Sequence, residues 1–154
     1  MKHDILGEVE LTDCNPFNGV ATIRYGSRDI KIGISHDDQP FEITLKLATE
    51  VASRLSELDK LAKQIATRSL REGYNNGWNE YDEAQEDGSF KPVSNPKLSE
   101  AEFEAKLTLN SVHVTGDRMI DFFYDDEGMF WGHSVVVNSL EGTDLTEAHA
   151  EIFA

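Results

Sequence analysis

Cysteine and positive charge are both scarce in this sequence, and each shortage excludes a class of function. Cys14 is the one cysteine among 154 residues, so the chain cannot form an internal disulfide or a zinc site with several cysteine ligands. Lysine and arginine number 14 against 29 aspartate and glutamate residues, which gives a formal net charge of -15. Nucleic acids and anionic membranes are bound through lysine and arginine, so we expect neither as a partner. A basic protein is the partner class that this charge favours, although an acidic surface also serves solubility alone.

Long hydrophobic runs are missing as well. No segment approaches the ~18 apolar residues that span a bilayer, and the first residues of the chain contain no apolar signal core. We therefore expect a soluble, cytoplasmic protein. Hydrophobic residues make up 39% of the chain, which is enough for a buried core, and 154 residues correspond to one domain, 1–154.

The common catalytic and nucleotide-binding motifs do not occur. The chain has no Gly-x-x-x-x-Gly-Lys, no Gly-x-Gly-x-x-Gly and no Gly-x-Ser-x-Gly, so phosphate loops and the hydrolase nucleophile elbow are excluded. The five histidines show neither His-x-His nor His-x-x-x-His spacing. We expect no cofactor and no metal site, and these patterns favour a binding protein over an enzyme.

Hydrophobic periodicity predicts strands first and helices next. Residues 5–11, 20–25 and 29–35 are predicted strands, and the last of them alternates isoleucine with polar residues or glycine. A turn is predicted at residues 13–16. Apolar residues at three-to-four spacing then predict helix over 40–72, either as one helix or as two with a break near Ser56.

The last part of the chain is predicted to return to strands. Ser99 and Glu102 match a capping box, which indicates a short third helix ending near Lys106. Four strand-like runs separated by short turns predict an antiparallel meander, namely 107–114, 119–124, 129–137 and 145–153. The fold class is therefore α+β, with antiparallel sheet, in one piece or more, packed against the central helices.

Residues 74–98 are predicted to be an irregular loop with a partner-binding role. Long loops in compact domains are often functional. This one carries an acidic run without lysine or arginine, from which we select as contact residues Asp82, Glu83, Glu86 and Asp87.

Two aromatic residues, Phe130 and Trp131, stand next to each other after an acidic turn. Neighbouring residues of a strand point to opposite faces. Either both side chains enter the core, or one of them is exposed or covered by the acidic loop. An exposed Trp131 beside an acidic rim would serve as an anchor for a partner, so it joins the candidate contact residues.

A histidine and a carboxylate provide the alternative, catalytic hypothesis. A hairpin centred near residue 127 would place Asp121 opposite His133, and a carboxylate can orient an imidazole as a base or as a metal ligand. His113 on a third strand could join them. The simpler interpretation is a histidine that fixes the sheet through a hydrogen bond.

The last third of the chain resembles a bacterial family known only as a domain of unknown function. The resemblance rests on Glu-Ala-Lys-Leu-Thr-Leu-Asn-Ser-Val at 104–112, Asp-Phe-Phe-Tyr-Asp-Asp at 121–126 and Phe-Trp-Gly-His-Ser-Val-Val-Val at 130–137. Earlier in the chain the similarity is one of architecture. Some relatives are thought to be immunity proteins of bacterial competition systems, so the resemblance implies an inhibitor and no established enzymatic activity.

Three hypotheses follow. The first is an acidic protein that binds a partner, in the form of an immunity-type inhibitor of a basic toxin. The second is a small hydrolase or metal-dependent enzyme using His133 with Asp121. The third is a structural homodimer that pairs through its last strand.

Overall fold

A computed structural model describes residues 1–12 and 18–153 of the chain. The turn predicted at 13–16, together with Cys14, lies outside the described residues. In chain order the elements are β1 (Lys2–His3), β2 (Gly7–Leu11), β3 (Gly19–Tyr25), β4 (Arg28–Ser35), α1 (Phe41–Ser53), α2 (Leu55–Gly73), a π-helical turn (Tyr74–Trp78), β5 (Glu80–Ala84), β6 (Phe90–Ser94), α3 (Glu100–Ala105), β7 (Thr108–Thr115), β8 (Met119–Asp125), β9 (Ser134–Ser139) and β10 (His149–Phe153).

Eight of these strands form one sheet, in the spatial order β1-β2-β3-β4-β7-β8-β9-β10. All neighbours are antiparallel except β4 and β7, which run parallel. The α+β class and the C-terminal meander are therefore confirmed, and the two sets of strands belong to a single sheet. β10 forms one edge of that sheet, and the homodimer hypothesis stays a prediction.

The parallel pair explains why the helices lie together on one face. Parallel neighbours need a crossover connection, and here residues 36–107 provide it. The crossover carries α1, α2 and α3, whose apolar sides pack on alternate residues of the sheet. The central helical region is two helices, because α1 ends at Ser53 and α2 begins at Leu55. Of the two alternatives that the sequence left open, the structure shows the break, close to Ser56.

A buried carboxylate ties α2 to the sheet. Asp59 is almost fully buried, and two tyrosine hydroxyls donate hydrogen bonds to it: the Tyr124 hydroxyl to Oδ1 at 2.7 Å and the Tyr25 hydroxyl to Oδ2 at 2.7 Å. The Lys63 ammonium lies 3.6 Å from the same carboxylate. Burial, reinforced by the Asp59 charge, raises the pKa of Tyr25 to about 12 and raises the pKa of Tyr124 far above its ordinary range.

We expect the protein to lose stability as pH rises above about 10. Folding raises the pKa of Tyr124, so above about pH 10 the folded protein keeps the phenol proton while the unfolded chain loses it. The contribution of the tyrosine to the free energy of unfolding is therefore complete below pH 10 and declines above it. For Tyr124 the expected slope is about 1.4 kcal/mol per pH unit. Denaturant unfolding at successive alkaline pH values measures it. Tyr124→Phe is the control, and an equally steep decline in that variant would contradict the assignment.

The prediction of an irregular loop over 74–98 is wrong. Its first part is a π-helical turn that continues α2. In this turn the backbone N–H of Asn79 donates a hydrogen bond to the backbone carbonyl of Tyr74 at 3.0 Å. The remainder is a two-stranded hairpin, β5–β6, separate from the main sheet. Pro92 lies in β6, and a proline is tolerated there because each strand of a two-stranded sheet has one free edge.

No helix among residues 1–12 and 18–153 is long and apolar enough to cross a membrane.

Candidate partner-binding groove

The segment between β8 and β9 is a compact double turn organised by one carboxylate. Asp126 is buried, and its side chain accepts hydrogen bonds from the backbone amides of Gly128 at 3.0 Å and Phe130 at 3.1 Å. The prediction of a strand over 129–137 is therefore wrong at its start, because β9 begins only at Ser134. An acidic side chain that caps its own turn satisfies the amides which a strand would otherwise pair.

Left-handed backbone angles also prevent a strand there. Glu127 and Trp131 have φ values of 54° and 57°, and each is followed by a glycine that also has a positive φ. Strand residues need a negative φ, so these positions turn the chain. A bulky residue in this region is an outlier that costs about 1–3 kcal/mol and persists only where the surroundings hold it.

The double turn sends its two aromatic side chains in different directions. Phe130 is fully buried. The centroid of its ring lies 5.9 Å from that of Tyr74, 5.3 Å from that of Trp78 and 6.2 Å from that of Phe103. Trp131 is 54% exposed, and its indole Nε1 donates to the Trp78 carbonyl at 3.1 Å. One aromatic residue thus anchors the turn in the core, and the other stands on the surface.

Trp131 forms one wall of a groove of about 1100 Å³. The aromatic part of the lining consists of Tyr74, Trp78, Tyr81 and Trp131. The Trp131 ring centroid lies 4.6 Å from that of Trp78 and 6.4 Å from that of Tyr81. The groove lies at the junction of the double turn, the π-helical turn, the base of the hairpin and α3, so elements distant in sequence build it.

The charged part of the lining is mostly negative. Asp82, Glu102 and Glu127 line the groove together with one cation, Lys106. Lys106 pairs with Glu127 at 3.3 Å in an exposed ion pair, which is worth little in water. Glu102 accepts from the Ser99 amide in the predicted capping box, which is confirmed and lowers the pKa of Glu102. Within residues 1–12 and 18–153, the Asp82 carboxylate has no hydrogen bond or ion pair.

Two asparagines hold the segment that follows the hairpin against the end of α2. The Asn75 side chain accepts from the Leu98 amide at 2.8 Å and donates to the Leu98 carbonyl at 2.9 Å. The buried Asn79 donates from its side chain to the Asn95 carbonyl at 3.0 Å, and its own carbonyl accepts from the Asn95 amide at 2.8 Å. These four hydrogen bonds fix this wall of the groove.

The four acidic candidates all lie on the β5–β6 hairpin and are exposed. Asp82 and Glu83 are in β5, where they face Pro92 and Lys91 across the strand pair. Glu86 and Asp87 are in the turn. Of the four, Asp82 alone lines the groove.

Asp87 has a structural role in that turn. Its Oδ1 accepts hydrogen bonds from the backbone amide and the hydroxyl of Ser89, and the hydroxyl bond lowers the pKa of Asp87. Gly88 between them has a φ of 84°. The carboxylate therefore closes the hairpin, and its assignment as a contact residue stays a prediction.

The predicted pairing of Asp121 with His133 is wrong. Asp121 faces Asn138 on β9 and accepts a hydrogen bond from its side chain at 2.6 Å, and on the other side it faces His113 of β7. His133 lies in the double turn, with its ring centroid 6.0 Å from that of Trp78. Residues 127–132 form turns and not strand, so the register of the β8–β9 hairpin differs from the one expected. The hydrolase hypothesis therefore loses the Asp121–His133 pair on which it was based.

His113 does not complete a metal site. Its ring packs on Phe123 with centroids 4.5 Å apart, and burial lowers its pKa against the opposing effect of Asp121. In the described part of the chain, no group of three or more histidine, cysteine, aspartate or glutamate side chains has an arrangement that could hold a metal ion.

Comparison with known proteins assigns the chain to a family. The model of the family DUF2262, described as an uncharacterized protein conserved in bacteria, matches residues 3–150. The chain belongs to this family. The resemblance to a bacterial family of unknown function is thereby confirmed, and the DUF2262 match extends well beyond the last third of the chain. No curated protein and no solved structure gives a significant match. For this DUF2262 member, the importance of the Phe-Trp-Gly-His-Ser motif and the immunity role stay predictions.

Proposed function

We propose that this DUF2262 protein acts by binding a basic protein partner through the β5–β6 hairpin and the adjoining groove. The form of this function that the family resemblance implies is an immunity-type inhibitor, which neutralises a basic toxin by occupying its surface. The observation that carries the proposal is Trp131, a large aromatic side chain that is 54% exposed in the wall of a groove. Tryptophan is among the residues that dominate binding energies at protein interfaces.

The conformation of Trp131 supports a role at the surface. Its left-handed backbone is unfavourable, and more than half of the side chain is exposed, so much of its apolar surface contributes nothing to the stability of the fold. A smaller residue or glycine would form the same turn more easily. A strained and exposed tryptophan is therefore more readily explained by what it binds than by what it stabilises.

The hairpin supports the same conclusion. Its ten strand residues are exposed apart from Val93, and they include two large aromatic side chains, Tyr81 at 39% and Phe90 at 68% exposure. Isolated two-stranded hairpins have little stability of their own, so a projecting one with exposed aromatics resembles an interaction arm more than a core element. Its carboxylates would steer a basic partner towards it.

Affinity capture from an extract of the native host tests the proposal. We expect the tagged protein to retain a basic protein at about 50 mM salt and to release most of it at about 500 mM, because screening weakens charge steering. The triple variant Asp82→Asn, Glu83→Gln, Glu86→Gln should retain much less of the same protein. The captured band should also bind the purified protein directly in a two-component assay.

The control removes three negative charges elsewhere. Glu10→Gln, Asp38→Asn and Glu147→Gln are exposed positions away from the groove, and this variant should capture the partner as well as the unmodified protein does. Equal loss in both variants would indicate a general effect of net charge, and it would remove the hairpin from the proposal. Absence of any captured basic protein at low salt would overturn the proposal itself.

A further inference from the structure

We propose that the groove receives the guanidinium group of an arginine side chain. This inference rests on the proposed function, since the arginine would belong to the basic partner. The groove would hold one side chain, and its aromatic and anionic linings would contact different features of the same cation.

Besides the buried Tyr74, the aromatic part consists of two exposed rings and one half-buried ring. Trp131 and Tyr81 are both more than one-third exposed, while Trp78 is partly buried between Phe130 and Trp131. The Trp78 carbonyl and the Trp131 indole are joined by a hydrogen bond, so the indole is held in place before any ligand arrives. A cation over the face of a tryptophan ring is attracted by the electron-rich face of the ring, and the attraction strengthens as the site is desolvated.

The anionic part has one unengaged carboxylate. Glu102 is occupied by the capping box and Glu127 by Lys106, whereas Asp82 has no hydrogen-bond or ion-pair partner in the described part of the chain. Tyr81 and Asp82 of β5 both line the groove, so this strand contributes an aromatic ring and a carboxylate to it. Three carboxylates against one ammonium leave this lining negative.

Arginine suits this combination better than lysine. Its guanidinium is flat, weakly hydrated and permanently charged, so it can stack on an indole while its edge donates hydrogen bonds to a carboxylate. The lysine ammonium is compact and strongly hydrated, and it has no flat face to stack on an indole. Asp82 and Trp131 both line the groove, and they supply these two kinds of contact.

Binding at this site can be followed by intrinsic tryptophan fluorescence. The chain's two tryptophans, Trp78 and Trp131, both line the groove, so intrinsic tryptophan fluorescence responds to occupancy without any label. The probes are blocked pentapeptides with a single arginine, lysine or citrulline among glycines. Citrulline has nearly the shape of arginine but no charge, so it separates the contribution of the cation from that of size.

We expect the arginine peptide to change tryptophan emission saturably, with a Kd of about 1 mM, as is reasonable for one side chain. The lysine peptide should bind about threefold or more weakly, and the citrulline peptide should show no saturation. Trp131→Leu, which keeps an apolar side chain but removes the indole, should abolish saturable binding as followed through Trp78. Circular dichroism verifies that the variant is folded.

Two charge-matched hairpin variants locate the carboxylate. Asp82→Asn lies in the groove and should weaken arginine-peptide binding about fivefold, whereas Glu86→Gln lies in the hairpin turn outside the groove and should change it less than twofold. Equal weakening by both would overturn the assignment of Asp82.

The outcomes distinguish this inference from the proposed function. Identical titrations with arginine and citrulline would overturn the arginine site, even if hairpin-dependent capture of a basic partner succeeds. Selective binding of the arginine peptide that depends on Trp131 and Asp82 supports the arginine site. If that binding is found but no basic partner is captured, the arginine site stands and the proposed function fails.

Discussion

Phe130→Ala is expected to lower the free energy of unfolding by about 3–5 kcal/mol. The side chain is fully buried, and its ring is surrounded edge-on by Tyr74, Trp78 and Phe103. Truncation removes the hydrophobic transfer energy of the ring and leaves a cavity that these rigid neighbours fill poorly. Urea denaturation followed by circular dichroism measures the loss.

The same variant should also alter the groove, since Phe130 supports it from beneath. Trp78 packs on Phe130 on one side and on Trp131 on the other, so loss of the ring should loosen both indoles and shift tryptophan emission to longer wavelength. Phe90→Ala is the matched control, because Phe90 is 68% exposed, and it should change stability by no more than about 0.5 kcal/mol. A loss below about 1 kcal/mol in Phe130→Ala would contradict the packing described.

Asp59→Ala is expected to lower the free energy of unfolding by about 3 kcal/mol. The substitution removes the side-chain acceptor of two tyrosine hydroxyls at once, and Tyr124 is almost completely buried. A buried hydroxyl that loses its acceptor costs about 1–3 kcal/mol. The Tyr124 hydroxyl keeps only its longer hydrogen bond, to the Asp59 backbone carbonyl at 3.2 Å. Asp59→Asn should cost less, because its amide oxygen still accepts one hydrogen bond.

A double-mutant cycle with Tyr124→Phe tests whether the effect passes through that hydrogen bond. Residues that share a bond give a double variant less destabilised than the sum of the singles, here by about 1 kcal/mol or more. Additive losses would show that Asp59 acts through something other than Tyr124. Chemical denaturation of all four proteins under one buffer condition provides the comparison.

The periodic parts of the sequence predicted the fold well. Alternating isoleucines identified β4, three-to-four spacing identified the helices, and Ser99 with Glu102 identified the start of α3, because each pattern reports local geometry that packing preserves. The parallel pairing of β4 with β7 left no such pattern. It depends on how the crossover returns to the sheet, which neighbouring residues do not encode.

The candidate site was predicted less well, because turns decide its geometry. Asp126 and the left-handed residues at 127 and 131 replaced the start of a strand with a double turn, and this moved His133 away from Asp121. The acidic run does lie on the surface, but its hairpin was missed, because both strands are exposed almost throughout and show no alternation of apolar and polar residues. An Asp followed two residues later by glycine was the available signal for the double turn.

The parallel join between β4 and β7 has a consequence for how the molecule folds. β3 with β4, and β7 with β8 and β9, can form early as local hairpins, but pairing β4 with β7 closes a loop that contains residues 36–107. Closing so long a loop is entropically unfavourable, and contacts between distant segments slow folding. The groove takes its walls from this crossover and from the C-terminal meander. It is therefore completed late, when the crossover docks, and an incompletely folded chain would contain the hairpin and Trp131 without the site that they form together.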